Sequence, residues 1–296
     1  MPFTMPEPDL RLIRAPNPSP MTGQGTNTYI LGRGAVCIID PGPLDNTHLH
    51  AIMRALDRSD HVECIVVTHS HLDHSPLARP LAQLTGARIM AFGDSQAGRS
   101  ALMSDLAKDG ISGGGEGVDH DFKPDQCLGD GDILAFGSET MRAIWTPGHM
   151  ANHMCFEWRG AVFCGDHVLD WTTSLVSPPD GDLGAYMRSL DKIEALDARR
   201  LHPGHGAAID TPVARLRALR DHRHQREAAI LSHLAGGIGT IPQLVAHVYA
   251  NVAPGLHAAA ARNVHAHLIN LWENGQVIAT PTPSPDARYT LAAKAR

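Results

Sequence analysis

Thr68-His69-Ser70-His71-Leu72-Asp73-His74 places four metal-capable side chains within six residues. It follows Cys64-Ile65-Val66-Val67, an apolar, β-branched run that reads as a buried strand. The metal-capable residues therefore sit where a strand ends and the backbone turns outward. In extended geometry residues two apart share a face, so His69 and His71 can bind one metal together. Asp73 and His74 lie past the bend and can reach a second metal. Neutral imidazoles with carboxylates suit Zn²⁺ well, and Fe or Mn nearly as well. The plain alternative is a histidine-rich surface turn. Nineteen histidines in 296 residues make this clustering rare by chance.

One loop cannot close a two-metal site, so partners are expected farther along, and three more strand-like runs end in suitable residues. Residues 140–145 run into Thr146-Pro147-Gly148-His149, residues 160–164 into Gly165-Asp166, and Arg200-Leu201 into His202-Pro203-Gly204-His205-Gly206. The Pro-Gly and Gly punctuation marks tight turns.

These segments resemble the metallo-β-lactamase-fold hydrolases, whose signatures are a T-H-x-H-x-D-H loop, a T-P-G-H turn, an F-x-G-D turn and a late P-G-H-G. All four occur here in that order. The resemblance implies an α/β fold, an αββα sandwich, and two metal ions. His69, His71 and His149 would hold one ion, Asp73, His74 and His205 the other, and Asp166 would bridge them. It further implies hydrolysis by a hydroxide shared between the metals, since coordination lowers the pKa of water toward about 7. Asp73 would also act in catalysis by orienting that hydroxide. Two redox relatives are weighed against this: flavodiiron proteins carry Glu where this chain has His71, while a mononuclear-iron persulfide dioxygenase shares most of these ligands. Of the remaining histidines, His153 is read as orienting a ligand or filling an inner strand face. His167 is read as a supporting or exposed residue, with proton donation to a leaving group as its functional alternative, and His202 as structural.

The composition, 43% hydrophobic and 19% charged, is that of an ordinary globular chain long enough for one large domain and a small one. The first twenty residues lack an apolar run, which argues against a secretory signal. No stretch of about 18 apolar residues predicts a membrane span. Five cysteines without CxxC spacing point to buried thiols in a reducing compartment, so a cytoplasmic location is expected.

The front of the chain reads as a hairpin, 27–31 and 35–39 about Gly32-Arg33-Gly34, with helices expected near 46–57, 76–84, 94–108 and 182–196. Residues 110–117 read as a mobile Gly/Ser-rich loop rather than a phosphate cradle, since P-loop Lys and Ser/Thr are missing. The composition shifts near residue 211, which divides the chain into 1–210 and 211–296. Thr211-Pro212 is a helix start. A helix over 213–234, a short one near 241–250, a third opened by Pro254-Gly255 and a hairpin of 277–279 with 289–291 make a winged-helix layout. This part holds nine Lys or Arg against four Asp or Glu (+5), and the remainder 16 against 27 (−11).

Gln24-Gly25-Thr26-Asn27-Thr28-Tyr29, the central motifs and Arg223-His224-Gln225-Arg226-Glu227 together resemble the lactamase-beta-like protein two group. That resemblance implies a zinc-dependent hydrolase that cleaves single-stranded RNA. The alternative is a thioester or lactone hydrolase resembling glyoxalase II, with the C-terminal part as a lid or a homodimer contact. In that case 171–173 and 178–182 flank the pocket and Thr173 meets a substrate oxygen. Against RNA stand the acidic chain, its 5% aromatic content and a third helix offering mainly Arg262, His265 and His267 on polar positions. A non-enzymatic winged-helix regulator is disfavoured because every ligand position carries a competent side chain.

Overall fold

Val36 and Ile38 face one hydrophobic core and Cys37 and Ile39 another, the period-2 alternation of a strand buried on both sides. The structure, a computed structural model, describes residues 3–111 and 117–293. The loop expected over 110–117 therefore lies largely outside the described residues.

Seven strands form the first sheet in sequence order: β1 (Thr4–Glu7), β2 (Leu10–Arg14), β3 (Asn27–Arg33), β4 (Ala35–Ile39), β5 (His61–Val66), β6 (Arg88–Ala91) and β7 (Gln126–Cys127). Pairing is antiparallel up to β4 and parallel from β4 to β7. The second sheet runs β12 (Arg200–Pro203), β11 (Ala161–Gly165), β10 (Met154–Trp158), β9 (Glu139–Trp145), β8 (Ile133–Phe136). Between the sheets lies a core containing Leu31, Ile39, Val66, Phe136, Phe156 and Phe163. Helices α1 (Asn46–Ala55) and α2 (Ala78–Thr85) bury Ile52 and Leu81 against the outer face of the first sheet. Beyond the second sheet, α4 (Leu183–Glu194) buries Tyr186, Leu190 and Ile193. The result is the expected αββα sandwich. Helix α3 (Ala101–Lys108) begins later than the expected 94, because Ser100 caps it by accepting from Met103 N.

Strand direction gathers the loops. Strands β9 and β11 are each antiparallel to β10, and β12 is parallel to β11, so their C-terminal ends share one edge. At that edge Met154 N donates to Thr68 O (2.7 Å) and Asn27 N to Gly204 O (2.7 Å), joining the ends of the two sheets.

The C-terminal module consists of α5 (Pro212–Ala235), α6 (Ile241–Val248), α7 (His257–Glu273) and the hairpin of β13 (Val277–Thr280) with β14 (Arg288–Leu291). It has its own core, including Ile230, Leu244, Val264, Leu268 and Tyr289. Helix α5 serves two cores at once: Leu216 and Leu219 pack with the sandwich, Ile230 and Leu234 with the module. Helix α7 is enclosed on several sides, sending Ala266 into the sandwich's outer core and Ile269 against Met103 and Leu106 of α3. Among the described residues, no helix is long and apolar enough to cross a membrane. Cys37, Cys64, Cys155 and Cys164 are buried free thiols, and Cys127 is exposed.

Candidate metal centre

Four strand ends deliver seven side chains to one point at the shared edge. His69, His71 and His149 form one group, and Asp73, His74, Asp166 and His205 a second; within each, one ligand atom per residue lies within 4.8 Å of the others. All seven are buried. Asp166 spans the two, with Oδ2 3.2 Å from His205 Nε2 and 3.9 Å from His149 Nε2. The structure thus brings together every metal-capable residue expected from the sequence.

Their partners fix which nitrogen faces inward. The carbonyl of Leu175 can only accept, so His149 donates from Nδ1 (2.7 Å) and turns the lone pair of Nε2 to the centre. His205 Nδ1 likewise donates to Gly25 O (3.3 Å). Asp40 Oδ2 accepts from His74 Nδ1 (2.9 Å) and from the Thr68 hydroxyl (2.7 Å), whose oxygen in turn accepts from His69 Nδ1 (3.0 Å). Four imidazoles are thereby committed to present Nε2 as a ligand. His71 joins through Nδ1, 3.0 Å from His69 Nε2 and 3.1 Å from His149 Nε2.

These contacts need a cation. Two Nε2 lone pairs converge on a single His71 nitrogen, and one proton can satisfy only one of them. In the second group His205 Nε2 lies 3.1 Å from Asp73 Oδ2, and His74 Nε2 3.4 Å from both Asp73 and Asp166, contacts that are favourable only with a proton or a metal ion on each Nε2. Asp73 Oδ1 and Asp166 Oδ1 are buried without a hydrogen-bond partner. A donor set of imidazoles and carboxylates with orphaned oxygens fits two divalent metals. Gly204 belongs to the same design: a Cβ there would lie 2.4 Å from Asp166 Oδ1 and 2.7 Å from His74 Cε1.

The field differs between the groups. Burial, reinforced by neighbouring imidazoles, holds His69 well below the usual histidine range and pushes His71 down to about 3. In the second group burial also works against the imidazolium, but Asp73, Asp166 and Asp40 overcome it at His74. Asp166 and Asp73 do the same at His205, raising it to about 9. Burial likewise would raise Asp73 and Asp166, yet His74 and His205 hold both carboxyls well below the normal range. The same carboxylates that favour a proton on His74 and His205 would favour a metal cation in its place.

Sequence reasoning missed the residues that hold the ligands. Asp40 carries no metal-loop signature; its signal is the position of Asp40-Pro41-Gly42 at the end of β4, beside the metal loop. Thr26 Oγ1 approaches Asp73 Oδ2 (3.4 Å), and Asn27 Nδ2 donates to the carbonyls of Pro203 and Gly206 (both 3.1 Å), clamping the His205 loop. His153 binds Thr146 Oγ1 through Nδ1 (2.9 Å) and stacks obliquely near His69. His167 is fully buried against Tyr186. His202 pairs with Glu7 (2.9 Å) and stacks on Phe163, as its structural reading requires.

A cavity of about 270 Å³ opens over the centre. His71, Asp73, His149, Asp166 and His205 form its floor. The walls include Met21, Leu169, Trp171 and Leu175 from the sandwich and Tyr249, Val252, Leu256, Ala259 and Ala260 from the C-terminal module. Thr172 and Thr173 also line it. The segment 178–182 was expected beside them; Asp180 instead is buried in an ion pair with Arg99.

Residues 21–205 match the family model of the metallo-beta-lactamase superfamily, and 240–283 that of the beta-lactamase associated winged helix domain. The beta-lactamase-like protein 2 homolog of Drosophila melanogaster is 32% identical over 275 residues, covering 88% of this chain and 87% of that protein. The atrochrysone carboxyl ACP thioesterase of Aspergillus fumigatus is 31% identical over 243 residues, 77% of this chain and 67% of that one. Among solved structures, a metallo-beta-lactamase family protein of Thermus thermophilus superposes with a TM-score of 0.76 at 26% identity, covering 96% of this chain and 99% of its own.

Proposed function

This chain belongs to the metallo-beta-lactamase superfamily of hydrolases, and we propose that it hydrolyses a thioester or related acyl ester, with the module from residue 211 onward acting as a lid. The observation that carries this reading is the cavity. The C-terminal module lines it with a mostly apolar set, Tyr249, Val252, Leu256, Ala259 and Ala260, beside the polar His222, Arg226 and Asn263. Such a wall desolvates an acyl group, and a single arginine in it suits one anionic group better than a polyanionic backbone. Helix α7, the third helix of the winged-helix layout, buries His265 and His267, two of the three polar residues that base reading would have used. The thioesterase named among the relatives points the same way.

His69, His71 and His149 would hold one ion, and Asp73, His74 and His205 the other, with Asp166 between them. Zn²⁺ suits this set best, with Fe or Mn as alternatives. The chemistry such a pair supplies is polarisation of an acyl oxygen and a lowered pKa of water at neutral pH. The protein's own groups do the positioning. Asp73 leaves Oδ1 without a hydrogen-bond partner while Thr26 and His205 hold Oδ2, so it would orient the attacking water. Thr173 lines the cavity and would hydrogen-bond a substrate oxygen. The apolar module excludes bulk water, which strengthens these interactions. The buried free thiols suit the reducing cytoplasm expected from the sequence.

A second reading, cleavage of single-stranded RNA, draws on the basic surplus of residues 211–296. One experiment separates the two: thiol release from a hexanoyl thioester and cleavage of a labelled single-stranded RNA, each with zinc-loaded protein and with Asp166→Ala as control. Thioester turnover by the wild type alone supports the proposal; RNA cleavage without it transfers the assignment to the nuclease reading.

A further inference from the structure

Helix α5 carries two kinds of arginine. Arg217 and Arg220 are neutralised by α4, through Glu194 (3.4 and 2.6 Å) and Asp191 (2.8 Å to Arg220). Arg215, Arg223 and Arg226, on the side toward the active-site loop, have no ion-pair partner among the described residues. Their partners are neutral oxygens. Arg215 donates to the carbonyls of Leu169 (2.7 Å) and Thr172, Arg223 to that of Ser174 and to Asn263 Oδ1 (3.0 Å), and Arg226 Nη1 to Val248 O (2.6 Å). Three guanidiniums, charged at any working pH, thus stand without counter-ions beside a loop that lines the cavity.

Arg226 reaches the cavity wall itself. It is half-buried, with its guanidinium 4.6 Å above the Tyr249 ring. Among the described residues its one ionisable hydrogen-bond partner is His222, which accepts from Nε at 3.5 Å. Burial and the adjacent Arg223 and Arg226 push His222 down to about 4, so it brings no second charge. The stacked ring and the Val248 carbonyl fix the guanidinium and leave Nη2 without a hydrogen-bond partner among the described residues, a donor available to a ligand. The cavity is therefore lined both by residues of the metal cluster and by a cation with no ion-pair partner among the described residues. A partly desolvated charge without a counter-ion is costly, and a ligand anion relieves that cost.

We propose that Arg226 binds an anionic oxygen group, a carboxylate or a phosphate, carried by the substrate on the side remote from the cleaved bond. The assignment of the cleaved end rests on the acyl-hydrolase reading; recognition of the anion rests on Arg226 and its surroundings. The residue sets specificity and is not part of the bond-breaking machinery.

Calorimetric binding to the full-length, zinc-loaded protein tests this without turnover. Two ligand pairs are compared: S-hexyl-coenzyme A with S-hexyl-N-acetylcysteamine, and adipate with hexanoate. The first pair places phosphate on the thiol side, the second a carboxylate on the acyl side. The expected result is that the more anionic member of at least one pair binds wild type about tenfold tighter or more. That gap should close to about twofold in Arg226→Gln and survive largely in Arg226→Lys. Arg226→Met, which keeps an apolar stem over Tyr249, separates loss of charge from loss of packing. The pair that discriminates identifies the side bearing the anion. The proposal is overturned if neither pair discriminates in the wild type, or if the gap persists in both Arg226→Gln and Arg226→Met. Hydrolysis of the hexanoyl thioester, measured in parallel, reports separately on the acyl-hydrolase reading.

Discussion

His74 donates from Nδ1 to Asp40 Oδ2 at 2.9 Å, tying the second metal group to the end of β4. Asp40 also accepts from Thr68 N and Thr68 Oγ1 (both 2.7 Å), so one carboxylate steers His74 directly and His69 through Thr68. Neither contact is to a metal, yet both decide which nitrogen faces it.

Asp40→Ala is expected to weaken metal binding by about 10- to 100-fold, the usual cost of losing a group that orients ligands. Competition against a chelator checks it. Unchanged affinity would show that the imidazoles hold their orientation without Asp40.

Asp166→Ala should lose most bound metal and nearly all hydrolysis, because Asp166 approaches both histidine groups. Metal content per chain and turnover are measured on the same sample. Two metals with full activity would refute the two-metal arrangement.

Gly25→Ala places a Cβ 2.1 Å from Ala15 O at a φ of +123°, where side chains are strained, and displaces the carbonyl that holds His205. A loss of about 2 kcal/mol or more is expected in urea unfolding. An unaltered midpoint would mean the 23–26 turn can relocate freely.

Burial keeps His48 and His265 down at about 4, against about 6.5 in an unfolded chain. Between those values only the unfolded chain takes up the proton. The stabilisation is therefore full above pH 6.5 and is lost as pH falls toward 4, at about 1.4 kcal/mol per pH unit for each histidine. His48→Gln should flatten the dependence of the urea midpoint on pH over that window. Parallel curves for variant and wild type would count against it.

Deleting residues 211–296 removes Leu216, Leu219 and Ala266 from the core shared with the second sheet. The remaining chain is expected to aggregate or melt at a much lower temperature. A truncated protein with wild-type melting behaviour would show the sandwich to be self-sufficient.

The seven residues of the centre, their order and the αββα class were legible in the sequence, because metal ligation forces particular side chains onto strand ends and turns, and those patterns are local. The support of the ligands was not legible. Asp40, Thr26 and Asn27 are ordinary residues whose roles arise from partners 28 to 179 positions away in sequence. The C-terminal module shows the same divide. Its helices and hairpin follow from caps, glycines and periodicity, whereas the face it presents depends on packing. His265 and His267 occupy polar positions of α7, but burial against the sandwich and α3 turns that helix inward. Sequence by itself determined the metal-binding chemistry and the architecture. Tertiary structure decided which nitrogens the ligands turn inward, that the module lines the cavity, and that Arg226 lines it with no ion-pair partner among the described residues, since each of these depends on contacts between segments distant along the chain.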